Sequence, residues 1–551
     1  MNVLHRRPGF RPSKEKLFLP AAFLILAALS TLWSLASPLM AVPDEPAHAI
    51  KAASVVRGEL MGESNGEQGD RATVHVPGYI ADLPEQACHA YDGRITADCA
   101  PVVNAEETAL TEAETSAGNY NPMYYFMVGW PSLMMSGAPA VYAMRIVSGL
   151  IGAAFLAVSL SAAWRLRSPR WPTAAAMAAL TPMVLFLNGS INPNALEIVT
   201  AAAVFLNLCV VLENSTALRS VRSNIVLVGI AGAVLANTRS LSLVWLAMAA
   251  VVPLIIYGWK PLTAVLRNRL GLAMTALIGA GCAAGLLWVL QAESLKSLTG
   301  TPIEMGRRDA AQIMLDRSFD YVSGYIGYMG WLDTPLPMGV YIFWHFVMGA
   351  VLLMGLSAPR LRDRVAVVLM AAAVIVLPPI LQAQVIQQLG WIWQGRYLLA
   401  VVVLLLLSCG VAFRSAPFPA GAVARRAGSW LLAGAAAAHL YAFLYVLRRY
   451  TVGLEENIRW PGMLEQVWQP PFTWPVLAVL YFLVLAAAAV LAHRALFGRK
   501  PSAAAAHLPV PSQQEPNSGK KVAEPAEQEE PAAPEAAALQ PSGTARHREN
   551  S

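Results

Sequence analysis

Charge is scarce in this 551-residue sequence, with only 13% of its residues Asp, Glu, Lys or Arg. A soluble globular chain carries ~25%. With 56% apolar residues and a mean hydropathy of +0.48, that scarcity excludes an ordinary cytosolic enzyme and a disordered regulator, and leaves a polytopic membrane protein with the lipid bilayer as its partner. A long basic run and any interleaving of basic with aromatic residues are also missing, so no nucleic-acid partner is expected despite the net charge of +6. Cysteine is scarce. Cys209, Cys282 and Cys409 lie in apolar runs as small buried hydrophobes, suggesting neither zinc nor a redox pair. Cys88 and Cys99 alone lie outside the spans, and a disulfide and two free thiols both remain open for them. The 38 Pro and 39 Gly are no objection, because membrane helices tolerate both.

What is present is a series of apolar runs. The first, from Leu17 to about Met40, follows Arg6, Arg7, Arg11, Lys14 and Lys16. It approaches the ~20 residues needed to cross a bilayer and exceeds the ~7–15 of a signal peptide, so it reads as an uncleaved helix. Cleavage near Ala41 is the alternative. Further runs near 140–164, 172–188, 195–213, 223–237, 240–258, 270–291, 339–357, 365–383, 397–413, 429–447 and 473–493 give about twelve spans, an all-α membrane fold. Alternate connections carry Arg165, Arg167 and Arg170; Arg219 and Arg222; Lys260, Arg267 and Arg269; Arg360, Arg362 and Arg364; Arg414, Arg425 and Arg426; and Arg494, Arg499 and Lys500. All fall on the side of the basic N-terminus (1–16), so the positive-inside rule puts both termini in the cytoplasm of a multi-pass plasma-membrane protein.

The other side receives the long polar segments, about 41–121, 292–338, 384–396 and 448–472. Long loops are where function concentrates, so chemistry is expected there, on a membrane domain spanning 17–497. Residues 498–551, rich in Ala, Pro, Glu, Gln and Lys, are expected to form a disordered cytoplasmic tail.

Four groups of polar residues on the outer side need explaining. Asp44 and Glu45, with His48 one helical turn on, could take a proton from a hydroxyl or hold a divalent cation; equally, they could simply open a helix. Tyr120 and Asn121 lead into an aromatic segment suited to the membrane interface. Tyr325, Trp331 and Asp333 lie in a glycine- and aromatic-rich loop that could cradle a sugar or pack on the membrane surface. Arg396 and Tyr397 stand at the outer mouth of a span, where an arginine is expensive unless it snorkels, pairs or binds an anion such as phosphate. Arg239 and Arg145 raise weaker versions of the same argument.

The Asp-Glu after the first helix, the Asn-Pro-aromatic segment at 121–125, the Gly-Tyr-Ile-Gly-Tyr-Met-Gly-Trp-Leu-Asp loop at 324–333 and Gln-Gly-Arg-Tyr at 394–397 resemble the domain-of-unknown-function family 2142 of bacterial membrane proteins, over roughly residues 15–495. That family implies no established activity. More remotely, the architecture is similar to the C-type (GT-C) glycosyltransferases, whose acidic pair in the first outer loop matches Asp44-Glu45 and whose interfacial helices between the first two spans could be supplied by residues 45–137. The resemblance implies transfer of a sugar from a polyprenyl-phosphate donor to a cell-envelope glycan or protein on the extracytoplasmic face. Asp44 would be the base, with Glu45 assisting, by orientation or through Mg or Mn. Arg396 with Arg239 would hold the phosphate. His48, Tyr120, Asn121, Tyr325, Trp331, Asp333 and Tyr397 would line the pocket. No motif for a particular acceptor is present. Two rivals stand beside this reading, a transporter or flippase of lipid-linked glycans and a scaffold for envelope assembly.

Overall fold

The computed structural model describes residues 12–63, 71–292, 294, 301–455 and 460–498. Residues 1–11 of the expected basic N-terminus, and the expected disordered tail from residue 499 on, lie outside the described residues.

The apolar run after Pro12 forms α1 (Pro12–Ala36), which stops before Pro38. The polar segment after it holds α2 (Glu45–Val55), β1 (Ala72–Pro77), the single turn α3 (Gly78–Ala81), β2 (Leu110–Thr115) and α4 (Pro122–Gly129). The antiparallel hairpin, with Ala72 opposite Thr115 and Pro77 opposite Leu110, is an addition to the expected interfacial helices. The alternating, β-branched Ala-Thr-Val-His-Val favours an extended chain with one face buried. Bilayer-length elements then follow: α5 (Gly137–Arg165), the bent pair α6 (Arg170–Ala178) and α7 (Pro182–Asn188), α8 (Pro193–Glu213), α9 (Arg222–Ala236), the bent pair α10 (Ser242–Tyr257) and α11 (Lys260–Arg267), and α12 (Arg269–Gln291). The second half contains α13 (Arg307–Asp316), α14 (Val322–Ile326), α15 (Met338–Leu356), α16 (Leu361–Leu389), α17 (Leu399–Ala412), α18 (Gly421–Val452) and α19 (Trp474–Phe497).

Among the described residues ten helices are long and apolar enough to cross a membrane, or twelve if each bent pair is one span. The protein is thus an all-α, multi-pass membrane protein. Pro182 and the Thr181 side chain, which accepts from the Val184 N–H, start α7 anew, and the break of 68° follows from that cap. α8 and α17 are buried all round, as helices without a polar face must be. The other spans pack around them.

The two ends of the bundle differ. One gathers the arginines of the alternate connections, where Arg414 pairs with Asp363 at 3.4 Å and the Trp171 indole donates to the Ala416 carbonyl. The other gathers the long loops. Helices run further into two of them than the hydropathy suggests: α16 continues to Leu389 before Gly390 (φ 64°), and α18 to Val452 before Gly453 (φ 82°). Positive φ is cheap only for glycine, so these two residues set where the helices stop.

Candidate functional site

The chain leaves α1, turns at Met40 (φ 58°) and reaches Asp44 in the left-handed region (φ 69°). Asp44 occupies the position before α2, but its side chain makes no capping bond. Its carboxylate instead accepts from Arg396 Nη2 at 2.6 Å, and 49% of the side chain stays open. Arg396 also donates to the Pro43 carbonyl at 3.2 Å, keeps only 1% of its side chain exposed, and leaves Nε without a partner.

Arg396 is delivered by a close approach of two backbones. A Cβ on Gly324 would come within 2.9 Å of the Gly395 Cα, so only a glycine pair lets the α14 segment seat against the turn that opens α17. From Arg396 a chain of contacts leads inward. Its guanidinium lies 5.3 Å from the Tyr397 ring, and Arg239 lies 5.5 Å from the same ring on one side and 5.8 Å from Tyr120 on the other. The rings of Tyr120 and His48 are 6.0 Å apart, and His48 Nδ1 shares a 2.9 Å hydrogen bond with the Tyr125 hydroxyl. The fold thus brings Asp44, His48, Tyr120, Arg239, Arg396 and Tyr397 to one place. Two cations, each seated on aromatic faces, flank one open carboxylate.

Burial works to raise the Asp44 carboxyl, but Arg396 and Arg239 outweigh it and hold the group below the usual carboxylate range. Burial pushes the His48 imidazole down to about 3, with Asp44 opposing and both arginines assisting, so the ring is neutral at neutral pH.

Other expected residues go elsewhere. Glu45 is enclosed: both its oxygens accept from Arg145, at 2.8 and 2.6 Å, and Oε1 also accepts from the Ile191 N–H. Arg145 fills its remaining donors with the carbonyls of Ser34, Ser37 and Pro38, which makes it a strut and not an anion site. The pairing corrects the expected role of Glu45 as partner to Asp44. A lone carboxylate does not fit the Mg or Mn site expected of the pair, and among the described residues no cluster of three or more His, Cys, Asp or Glu could hold a metal.

Asp333, expected in the pocket lining, is instead buried against Arg449 at 3.0 Å with only 1% of its side chain exposed. Arg449 gathers the carbonyls of His89 and Asp92 as well, tying the first long loop to the 324–335 loop. Tyr325 is buried in the core and does not line the open site, while Asn121 caps α4 and donates to the Asn237 side-chain oxygen at 3.1 Å. Trp331 lies between, its indole donating to the Met40 carbonyl at 2.8 Å and its ring meeting Tyr91 at 5.3 Å. Cys88 and Cys99 are joined in a disulfide within the loop that carries Tyr91.

Three residues were not anticipated. Glu197 stands 3.8 Å from Arg239 and accepts from Ser242 at 2.6 Å, and Asn194 also accepts from Arg239. A glutamate inside an apolar run is itself a signal, because an intramembrane carboxylate is costly without a partner. Tyr91, 73% exposed at φ 66°, had no such signal. Met40, Asp44, Tyr91 and Leu332 are four of the six non-glycine residues with positive φ among those described. Backbone strain of this kind gathers at functional sites, and here it gathers around Asp44.

A search of curated proteins finds no match. Among solved structures, crystal structures of ArnT from Cupriavidus metallidurans align at 15% identity. The one bound to undecaprenyl phosphate has a TM-score of 0.44, covering 86% of this chain and 76% of the other; the apo form has a TM-score of 0.37, covering 87% and 77%. The family model described as "Predicted membrane protein (DUF2142)" matches residues 27–405, and the chain belongs to that family.

Proposed function

We propose that the protein is a membrane glycosyltransferase that moves a sugar from a polyprenyl-phosphate donor to a cell-envelope acceptor. On this reading the loop end faces away from the cytoplasm of a bacterial plasma membrane and both termini lie inside. The observation that carries the proposal is the half-open Asp44 carboxylate held at 2.6 Å by Arg396, with Arg239 across the shared Tyr397 ring.

The donor phosphate docks on Arg239, the more open guanidinium with 23% of its side chain exposed, and the enclosed Arg396 beside it adds positive charge through Asp44 and the shared Tyr397 ring. The acceptor hydroxyl oxygen attacks the anomeric carbon as the bond from that carbon to the phosphate oxygen breaks. Its proton passes to Asp44, and the electron pair leaves with polyprenyl phosphate, whose growing charge the two arginines stabilise. A single base opposite a phosphate leaving group inverts the anomeric carbon. Competition between phosphate and Asp44 for Arg396 loosens the ion pair and raises the basicity of the carboxylate only when donor is present. His48, neutral and tied to Tyr125, supports the floor of the site.

The test is transfer from a labelled polyprenyl-phosphate sugar in membranes bearing the protein or its Asp44→Asn form. Loss of transfer with donor binding retained is expected. Full transfer by the variant would remove the catalytic assignment.

A further inference from the structure

Tyr91 takes no part in the transfer steps. Its side chain is 73% exposed, and its backbone sits at φ 66°, a conformation costly for a bulky residue. The turn that carries it is nevertheless clamped. The Cys88–Cys99 disulfide closes it, Arg449 donates to the His89 and Asp92 carbonyls on either side of Tyr91, and the Asp92 carboxylate accepts from the Arg94 N–H and guanidinium. The Leu454 N–H donates to the Gly93 carbonyl at 3.0 Å. A Cβ on Gly93 would come within 2.9 Å of the Asp333 carbonyl oxygen, so glycine is what lets this turn seat on the 324–335 loop. These contacts fix the backbone, and an aromatic ring is displayed on it.

Trp331 is held in the same manner. Its hairpin pairs Tyr328 with Pro335 and Met329 with Thr334, and the tip turns at Gly330 and Leu332, both at φ 61°, on either side of the indole. The half-buried indole donates to the Met40 carbonyl, on the turn that leads to Asp44, and meets the Tyr91 ring edge-on at 5.3 Å and 63°. Both charges of the open pair act on Tyr91: its phenol is raised above the usual range by desolvation first and then by Asp44, with Arg396 opposing. The hydroxyl therefore stays protonated at neutral pH and is a hydrogen-bond donor.

This corner offers a ligand aromatic surface bordered by hydrogen-bonding side chains. The carbonyls of Met40, Ala41, Val42 and Pro43 already accept from Trp331, Tyr450, the Glu45 N–H and Arg396, so a peptide finds no free row of acceptors to pair with. A pyranose ring has the complementary make-up, a face of C–H groups that lies on an aromatic ring and a rim of hydroxyls that reach polar neighbours. We propose that Tyr91 and Trp331 form the acceptor subsite and that the acceptor is a glycan, one sugar ring of which lies on Tyr91 with a hydroxyl at Asp44. This rests on the transfer reading and names the acceptor class for it. Tyr91 and Trp331 bind the sugar, and the bond-making and proton transfer stay with the groups already assigned.

The test is saturation-transfer NMR on the full chain in lipid nanodiscs with neutral trisaccharides of glucose, galactose, mannose and N-acetylglucosamine. At least one trisaccharide is expected to receive saturation at its ring C–H protons. Tyr91→Ala should weaken its binding about two- to tenfold, the worth of one aromatic contact, and Tyr91→Trp should restore it. Because the ring is exposed, Tyr91→Ala should keep the parent's thermal midpoint and its affinity for polyprenyl phosphate. No trisaccharide bound by the parent, equal binding by Tyr91→Ala, or a lowered midpoint in that variant would each overturn the proposal. Sugar binding that depends on Tyr91 in a protein without transfer activity would count against the transfer reading alone, whereas Asp44-dependent transfer with no sugar bound would count against the glycan subsite alone.

Discussion

Asp44 and Glu45 are neighbours in the chain and each bonds an arginine, yet they belong to different parts of the machine. Glu45 and Arg145 are wholly enclosed and every donor of the guanidinium has a protein acceptor, whereas Asp44 is half open and Arg396 keeps one N–H unused. The Asp333–Arg449 pair is of the closed kind. A closed pair is complete without a ligand, and loss of one partner strands a charge in the interior. An open pair is incomplete by construction. On the proposed reading, the comparison separates two carboxylates that hold the fold, Glu45 and Asp333, from Asp44, which acts as the base.

Breaking a closed pair should have the largest effect on stability. Arg449→Ala leaves Asp333 buried and unpaired, and should cost roughly 3–5 kcal/mol, the usual penalty for halving a buried ion pair. The check is the thermal midpoint and monodisperse yield in detergent; Glu45→Gln should fall on the same side. An Arg449→Ala protein as robust as the parent would show that the pair is not a strut.

Asp44→Asn should do the converse. Its midpoint should fall by less than that of Arg449→Ala, because the amide oxygen still accepts from Arg396 and half of the side chain is open to solvent, while transfer falls by ~10²–10⁴, the usual contribution of a general base. Equal loss of stability and activity would erase the distinction between open and closed pairs.

Arg239→Ala should weaken donor-lipid binding by roughly ten- to a hundredfold, as expected for losing charged hydrogen bonds. Arg396→Ala should weaken it as well, with part recovered in Arg396→Lys if charge alone matters. Equilibrium binding of a labelled polyprenyl phosphate reads both. No change for Arg396→Ala would remove that residue from the phosphate site.

The smallest effect is a slope with pH. His48 is neutral in the fold down to about pH 3, because burial disfavours its charged form, but it protonates near 6.5 when unfolded. Between those values the unfolded chain binds the extra proton, so stability drops as pH falls. The lowered Asp44 acts in the same direction: its contribution is present above about pH 3.9, the ordinary aspartate value, and is lost as pH falls through the lower folded value. His48→Asn should flatten the midpoint between pH 6.5 and pH 4; an unchanged slope would place the effect elsewhere.

Much of the architecture was legible because membrane insertion writes it plainly. Each apolar run became a helix except 172–188, which breaks into α6 and α7, and the arginines of alternate connections gathered at one end. The meeting of Asp44 with Arg396 was legible only as two separate anomalies, since 352 residues divide them. The Asp44–Glu45 pair misled for a geometric reason: consecutive residues at a helix start point in different directions, so adjacency in sequence is no sign of a shared site. Asp333 could not be sorted from sequence, because what closes its pocket is an arginine 116 residues away on another helix. Tyr91 is placed by a disulfide, a turn and Trp331 together, none of which predicts a side-chain position alone.

The 32 residues of α18 make it about 48 Å long, well beyond the ~30 Å hydrocarbon thickness of a bilayer. One end carries Arg425 and Arg426, and the far end grips through Arg449 the loop that carries Tyr91. A thicker or thinner membrane changes the tilt such an overlong rod must adopt. A single rigid rod thus joins the arginine-rich end of the bundle to the loop beside Asp44, and the position of that loop is set by a helix anchored on both sides of the bilayer.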